Sequence, residues 1–88
     1  MDRNYKDPLY QLWRLAVFER DHFKCQFPGC LYKGKKIVAH HIKKWSMYPT
    51  LRFIVKNGVC LCRFHHNLIW GKEEDYETLF IRIVNEKI

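Results

Sequence analysis

The 88-residue sequence has no long hydrophobic run, no internal repeat and no low-complexity segment. No apolar stretch approaches the roughly 20 residues that a membrane-spanning helix needs. The opening MDRNYKDPLY is charged and polar, so it lacks the apolar core of a secretory signal. We therefore expect a soluble, cytoplasmic protein that does not enter a membrane. In that compartment cysteines bind metal more often than they form disulfides.

Acidic residues are scarce in the first seventy positions. The chain has 16 Lys and Arg against 9 Asp and Glu, a formal net charge of +7, and five of the acids lie in residues 73–88. This excess of positive charge favours a polyanion such as nucleic acid as the partner. The alternative is a solvated basic face that only maintains solubility.

The composition, 48% hydrophobic and 16% aromatic, suits a single folded domain over residues 1–88. Asp7 and Pro8 precede apolar residues at helical spacing, which predicts a first helix over 8–20. A cluster of acids followed by apolar residues on one face predicts a last helix over 73–86. The segment 25–70 between them carries the remaining motifs.

Within that segment the apolar pattern predicts a strand over 35–42 and a short strand over 59–61, after a tight turn at Asn57-Gly58. The two strands would pair as a hairpin. Its loop, residues 43–56, is long enough to favour a functional role. A short helix over 63–70 would end at Gly71 in a left-handed conformation.

Four residues have the spacing of a zinc site. Cys25 and Cys30 flank a Pro-Gly turn, and Cys62 and His65 follow some thirty residues later. Two such short-spaced pairs separated by a loop can form a closed tetrahedral shell, which is typical of structural zinc. Cys60 is the alternative to Cys62, and four buried thiols packed as small apolar groups are the alternative to a metal site.

Two His-His pairs extend this pattern. Adjacent helical residues point about 100° apart, so if His65 binds zinc, His66 faces elsewhere. His40 and His41 lie on a strand, where neighbours face opposite ways. One of these two can therefore meet His66 at a second ion, while the other lies beside it.

The motifs HHI at 40–42, NG at 57–58 and LC followed by HH at 61–66 resemble those of the HNH nuclease family. FERDHFKC, AHHIKKWSMYPTLRF and NGVCLC followed by H and GKE resemble the small phage HNH endonucleases, often grouped with homing endonucleases. The resemblance covers residues 17–74 in the family's order and spacing. It implies an α+β fold, a small zinc-stabilised ββα-metal (treble-clef-like) domain with flanking N- and C-terminal helices.

The resemblance also implies roles for four residues. His40 would bind the catalytic metal and His66 would be its second protein ligand. His41 would be the general base that activates water, and Asn57 would hold the loop and the base by hydrogen bonds. The family's cysteine positions fall on three cysteines, with a histidine as the fourth structural zinc ligand: Cys25, Cys30, Cys62 and His65.

The function so implied is metal-dependent hydrolysis of phosphodiester bonds in duplex DNA, by nicking or cutting, to give a 5′-phosphate and a 3′-hydroxyl. Four basic residues flank the implied site and would contact phosphates: Lys43, Lys44, Arg52 and Lys56. The alternative function is a catalytically degenerate HNH-like zinc module that binds DNA or a protein without cleaving.

Trp70 departs from the family pattern, because many relatives carry a further metal-binding histidine at that position. Only two protein ligands would then remain, which suits Mg²⁺ or Mn²⁺ better than Zn²⁺ or Ni²⁺. Since a tryptophan at helical spacing usually lies in the core, we expect Trp70 to be buried, with stacking on DNA as the alternative.

The sequence shows no separate recognition domain, so we expect low intrinsic specificity for DNA sequence. Strong specificity would need a homodimer, contacts from the loop, or a partner such as phage packaging or replication machinery. The resemblance implies that the protein acts in a phage-infected bacterial cell.

Overall fold

The computed structural model describes residues 4–87 and has an α+β fold, as predicted. Its three helices are α1 (Pro8–Arg20), α2 (Arg63–Leu68) and α3 (Glu77–Asn85), and its two strands are β1 (Ile37–His41) and β2 (Gly58–Cys62). Short 3₁₀ turns lie at Pro49–Leu51, Val55–Asn57 and Glu73–Tyr76. Within the described range no helix has both the length and the apolar character to cross a membrane.

Helix α1 has the bounds that its capping residues predict. The Asp7 side chain accepts a hydrogen bond of 2.9 Å from the backbone N–H of Leu9, and Pro8 occupies the first helical position. Trp13 and Val17 lie on the face of the helix that is buried against the sheet.

The two strands pair antiparallel, which confirms the predicted hairpin. His40 lies opposite Val59 and His41 lies opposite Gly58. Strand β1 is shorter than predicted, because it begins at Ile37. Strand β2 is longer, since it extends through Cys62 to the start of α2.

The predicted tight turn at Asn57-Gly58 is wrong. Asn57 ends a 3₁₀ turn, and Gly58 has extended dihedral angles (φ −123°, ψ 148°) that begin β2. A Cβ atom on Gly58 would lie 2.5 Å from the Val17 side chain and 2.6 Å from the Trp13 ring. Glycine is therefore required here by the close approach of α1 to the sheet.

Alternate residues of the sheet face two separate hydrophobic clusters. On one face Ile37 and Cys60 pack with α1. On the other face Val59 and Leu61 pack with α3, whose buried residues include Phe80. The sheet is thus covered on both faces, and side chains that are neighbours in the sequence enter different environments.

The C-terminal part differs from the continuous helix predicted over 73–86. It begins with the 3₁₀ turn Glu73–Tyr76, and the α-helix starts only at Glu77. Gly71 is left-handed (φ +78°) after α2, as predicted. After this turn Glu73, the first residue of the 3₁₀ turn, lines a cleft together with His40 of β1.

A buried carboxylate that the sequence analysis missed fixes the end of α1. Asp21 is 1% exposed and receives two hydrogen bonds from the Arg20 guanidinium and one of 2.9 Å from the N–H of Cys60. Lys87 lies 3.4 Å from the same carboxylate. Arg20 also donates to the carbonyl of Gly58, so α1 is tied to β2 through a paired buried charge.

Candidate metal centre and histidine cleft

The predicted zinc residues Cys25, Cys30, Cys62 and His65 lie together, with their ligand atoms within 4.8 Å of one another. The sulfurs of Cys25 and Cys62 are 3.7 and 3.3 Å from Nδ1 of His65. Zinc bonds of about 2.3 Å to sulfur and about 2.0 Å to nitrogen, arranged tetrahedrally, separate S and N by about 3.6 Å. The cluster can therefore hold a metal such as zinc.

Local structure places each of these ligands. Cys25 and Cys30 flank a turn in which the Cys30 N–H donates to the carbonyl of Phe27 at 3.0 Å. Cys62 ends β2 and caps α2, because its sulfur accepts the N–H of His65 at 3.4 Å. The Phe27 ring stacks on the His65 imidazole at 4.2 Å and fixes its orientation.

The structure selects Cys62 over Cys60 as the ligand. The Cys60 side chain packs in the cluster around α1, on the face of the sheet that α1 covers. Burial, followed by the nearby Asp21 carboxylate, raises the pKa of Cys60 to about 12. Cys60 is therefore a small apolar core residue rather than part of the cluster.

The thiols of the cluster differ in acidity. Burial raises the pKa of Cys25 to about 12. Burial also opposes ionisation of Cys62, but hydrogen bonds from the His65 N–H and from the Cys25 and Cys30 thiols outweigh it and lower the Cys62 pKa. Cys62 therefore ionises more readily than Cys25, and a cation at the centre of the cluster would favour ionisation of its thiols.

An open cleft of about 390 Å³ lies beside the hairpin. Strand β1 contributes His40 and His41 to its wall, and α2 contributes His66. The structure therefore brings together the three histidines that the sequence analysis singled out. Other residues lining the cleft are Tyr5, Ala39, Lys44, Trp45, Ser46, Trp70 and Glu73.

His40 and His66 face each other across the strand and the helix. Their ring centroids are 5.6 Å apart, and the His40 ring also meets the edge of Phe80 at 5.7 Å. His65 turns to the cysteines while His66 turns to the cleft, as the helical geometry predicts. One short helix thus contributes to both sites.

The His41 ring lies on the opposite face of the strand and is held on several sides. It stacks on Trp13 at 3.9 Å, and Trp13 in turn donates its indole N–H to the carbonyl of Ile54 at 2.9 Å. Nε2 of His41 is 2.9 Å from the carbonyl oxygen of Arg52. Because a carbonyl only accepts, we assign the proton to Nε2, which leaves Nδ1 as the basic nitrogen of the neutral ring.

Asn57 closes the loop over residues 43–56. Its amide nitrogen donates to the carbonyls of Lys43 (3.1 Å) and Leu51 (3.2 Å), and its amide oxygen accepts the N–H of Lys43 at 2.8 Å. The bond to Leu51 fixes the loop at the residue before Arg52, and the carbonyl of Arg52 is hydrogen-bonded to His41. Asn57 therefore acts on the histidine through the loop backbone.

Three of the four predicted phosphate-binding residues have partners within the chain. Lys43 is ion-paired with Glu77, and the hydrogen bond to that carboxylate raises the Lys43 pKa. Lys44, which lines the cleft, lies 3.4 Å from Glu74. The Arg52 guanidinium stacks over Trp45 at 4.4 Å and donates to its carbonyl. The fourth, Lys56, is exposed.

The expectation that Trp70 lies in the core is wrong, since this side chain is 71% exposed at the edge of the cleft. Helix α2 ends at Leu68, so position 70 lies beyond the helix and does not continue its buried face. Ile69 is 0% exposed and takes the core position instead. The Trp70 ring lies 6.2 Å from that of His66.

Glu73, which the sequence analysis counted only among the acids at the start of the last helix, also lines the cleft. Burial raises its pKa, but hydrogen bonds from the backbone N–H groups of Glu73 and Gly71 and the charges of Lys44 and His40 more than compensate, so the net pKa is lowered. Its place in the cleft depends on the chain reversal at Gly71. The one sequence signal for this placement is the Gly-Lys-Glu stretch at 71–73, where a glycine that can end the helix comes two residues before the carboxylate.

Searches of protein-family models, curated proteins and solved structures found no match to this chain. The resemblance to HNH nucleases therefore depends on the sequence motifs, and the site must be judged on its own geometry.

Proposed function

We propose that the protein is a metal-dependent endonuclease of the HNH type that hydrolyses phosphodiester bonds in DNA. The observation that carries this proposal is the cleft itself, where His40 and His66 lie close together and His41 is held with its Nε2 on a backbone carbonyl. Such a grouping offers two metal ligands and one oriented base.

The residues present fit a divalent cation at His40 and His66. His66 lies on α2, which Cys62 joins to β2, and β2 pairs with β1, which carries His40, so the hairpin and the cluster together fix the relative position of the two imidazoles. Two protein ligands leave coordination positions for water and phosphate oxygens, as Mg²⁺ and Mn²⁺ require. When bound, the ion would neutralise charge on the scissile phosphate and on the departing 3′ oxygen.

His41 would act as the general base. Its Nδ1, which has under 1 Å² of accessible surface in the free protein, would take the proton of the attacking water once the cleft opens to it, and the Arg52 carbonyl would stabilise the resulting imidazolium through the Nε2–H bond. The stacked Trp13 ring keeps the imidazole from rotating. A base positioned in this way contributes roughly 10²- to 10⁴-fold in rate.

Duplex DNA would bind through the basic residues of the loop. Lys43 and Lys44 pair with Glu77 and Glu74 in the free protein. The Lys44–Glu74 pair is exposed and therefore weak, and the Lys43–Glu77 pair is half-buried, so phosphates would replace the carboxylates most readily at Lys44 when DNA arrives. Trp70, exposed at the edge of the cleft, is available to pack against a sugar or base.

The test is nicking of supercoiled plasmid by the zinc-loaded protein with added Mg²⁺, Mn²⁺, Zn²⁺ or Ni²⁺. We expect nicking with Mg²⁺ or Mn²⁺, and a loss of roughly 10²-fold or more in His41→Ala. His22→Asn is the matched control, because His22 is an exposed histidine outside the cleft, and asparagine tolerates its left-handed conformation. Equal nicking by native protein and His41→Ala would contradict the proposal.

One observation favours the degenerate, non-cleaving module as a second candidate. Among residues 4–87 the cysteine cluster is the one group of three or more ligands whose atoms lie within 4.8 Å of one another. The same assay with Trp70→His separates the candidates, since it restores the histidine of the implied family pattern. No nicking by the native protein, together with nicking by Trp70→His, would favour the degenerate module.

A further inference from the structure

Glu73 places a carboxylate in a cleft that the proposed function gives to a phosphate. It begins the 3₁₀ turn Glu73–Tyr76, is half-buried, and lines the same cleft as His40 and His66. The left-handed Gly71 turns the chain back after α2 and so directs this residue towards the histidines.

A carboxylate in that position poses an electrostatic problem. The protein carries a net charge of +7, and a negative group facing the DNA would repel the phosphate. A glutamate is ordinarily ionised at neutral pH, and a cation between this carboxylate and the phosphate would remove the conflict.

Ligand chemistry points the same way. Two imidazoles leave coordination positions open for Mg²⁺ or Mn²⁺, but both ions prefer carboxylate oxygen to nitrogen, so a carboxylate in the same cleft would complete the site. Trp70 lines the cleft where a third imidazole is implied, but it cannot coordinate a cation. Glu73 lies three residues further along, in the same wall.

We propose that Glu73 is the third protein ligand of the cation held by His40 and His66, which makes the cleft a two-imidazole, one-carboxylate site selective for Mn²⁺ and Mg²⁺. The inference rests on the proposed function, since it completes the metal site of that nuclease. The ligand atoms of His40, His66 and Glu73 do not form a tight group of the kind found in the cysteine cluster, where all four lie within 4.8 Å of one another. Binding of a shared cation therefore requires the Glu73 side chain to rotate towards the imidazoles.

Binding of Mn²⁺ to the zinc-loaded protein tests the inference without DNA. The EPR signal of free Mn²⁺ falls on binding, so a titration gives the Kd directly. We expect Glu73→Gln to raise the Kd by about tenfold or more, since even groups that only orient a ligand are worth about 10- to 100-fold. His66→Ala should weaken binding similarly, and Glu73→Asp should lie between native and Glu73→Gln.

Asp75→Asn is the matched control, because it removes one exposed carboxylate from the same 3₁₀ turn but lies outside the cleft. It should bind Mn²⁺ like the native protein. An unchanged Kd in Glu73→Gln, or an equal loss in Asp75→Asn, would overturn the inference. So would a loss in Glu73→Gln alone with His66→Ala unaffected, because the ligands would then not share an ion. Circular dichroism verifies that each variant is folded.

The plasmid assay distinguishes a failure of the third-ligand inference from a failure of the proposed nuclease function. If Mn²⁺ binding depends on Glu73 and His66 but no variant or native protein nicks DNA, the nuclease proposal fails and the third ligand stands. If native protein and Glu73→Gln nick equally well at every Mn²⁺ concentration, the nuclease stands and the third ligand fails.

Discussion

The cysteine cluster and the histidine cleft share helix α2 but differ in closure. In the cluster four ligands meet within 4.8 Å, with Cys25 and Cys62 buried. In the cleft the His40 and His66 rings are 5.6 Å apart at the wall of an open space of about 390 Å³. A closed four-ligand shell is typical of a structural metal, and an open one of a site that exchanges water and substrate.

The division between the two regions begins with neighbouring residues. His65 and His66 point in different directions from one helical turn, and His40 and His41 point to opposite faces of one strand. The cluster holds α2, which carries His66, and the end of β2, which pairs with the strand that carries His40 and His41. The comparison therefore predicts that damage to the cluster unfolds the protein, whereas damage to the cleft leaves it folded.

The largest effect expected is loss of the cluster. Cys62→Ser should abolish zinc retention and most of the folded structure, because structural zinc is worth roughly 10 to 16 kcal/mol in small zinc domains and Cys62 also caps α2. Zinc content by mass spectrometry and thermal unfolding followed by circular dichroism measure both. Cys60→Ala is the control, since it truncates a buried cysteine outside the cluster. It should retain one zinc and unfold only slightly earlier. Stable folding of Cys62→Ser would remove the distinction.

A smaller effect is expected at Asn57, which belongs to the cleft side. Asn57→Ala leaves the Lys43 N–H and the carbonyls of Lys43 and Leu51 without their partner. Each buried group deprived of its hydrogen bond costs about 1 to 3 kcal/mol. The free energy of unfolding should fall by at least the cost of one such group while zinc content stays at one, and nicking should fall because the Arg52 carbonyl shifts.

Asn67→Ala provides the comparison for that variant. Asn67 is exposed on α2, the helix that also carries His65 and His66, and it belongs to neither the cluster nor the cleft lining. Its replacement should leave both the unfolding free energy and zinc content near native values. If Asn57→Ala instead released zinc, the cysteine cluster and the histidine cleft would form one cooperative unit rather than two separable regions.

The sequence predicted the closed region more completely than the open one. The spacing of Cys25, Cys30, Cys62 and His65 encodes the ligand set, since short local turns place each pair. The bounds of α1 likewise follow from Asp7 and Pro8. These features are local in the chain, and local chemistry is what a sequence displays.

The cleft depends on contacts between distant segments, which the sequence does not display. The sequence predicts a turn at Gly58, whereas the structure requires glycine there because Trp13 and Val17 approach the backbone closely. Trp70 was expected in the core because the helix was predicted to reach residue 70, whereas it ends at Leu68. Glu73 reaches the cleft only through the reversal at Gly71.

The smallest expected effect concerns the ion pairs at the edge of the cleft. Glu74→Gln frees Lys44, and Glu77→Gln frees Lys43, so each variant should bind a short DNA duplex roughly three- to tenfold more tightly at low salt. The gain should shrink at higher ionic strength as screening increases. Fluorescence anisotropy across a salt series measures it.

Glu86→Gln distinguishes a released lysine from a general change of charge. It removes the same charge from an exposed residue just beyond α3. Because long-range attraction changes equally in all three variants, only a larger gain in Glu74→Gln and Glu77→Gln supports competition between carboxylate and phosphate. Equal gains would mean that Lys43 and Lys44 do not contact DNA directly. The cleft would then attract DNA through its net charge alone, and orientation would depend on the histidines and Trp70.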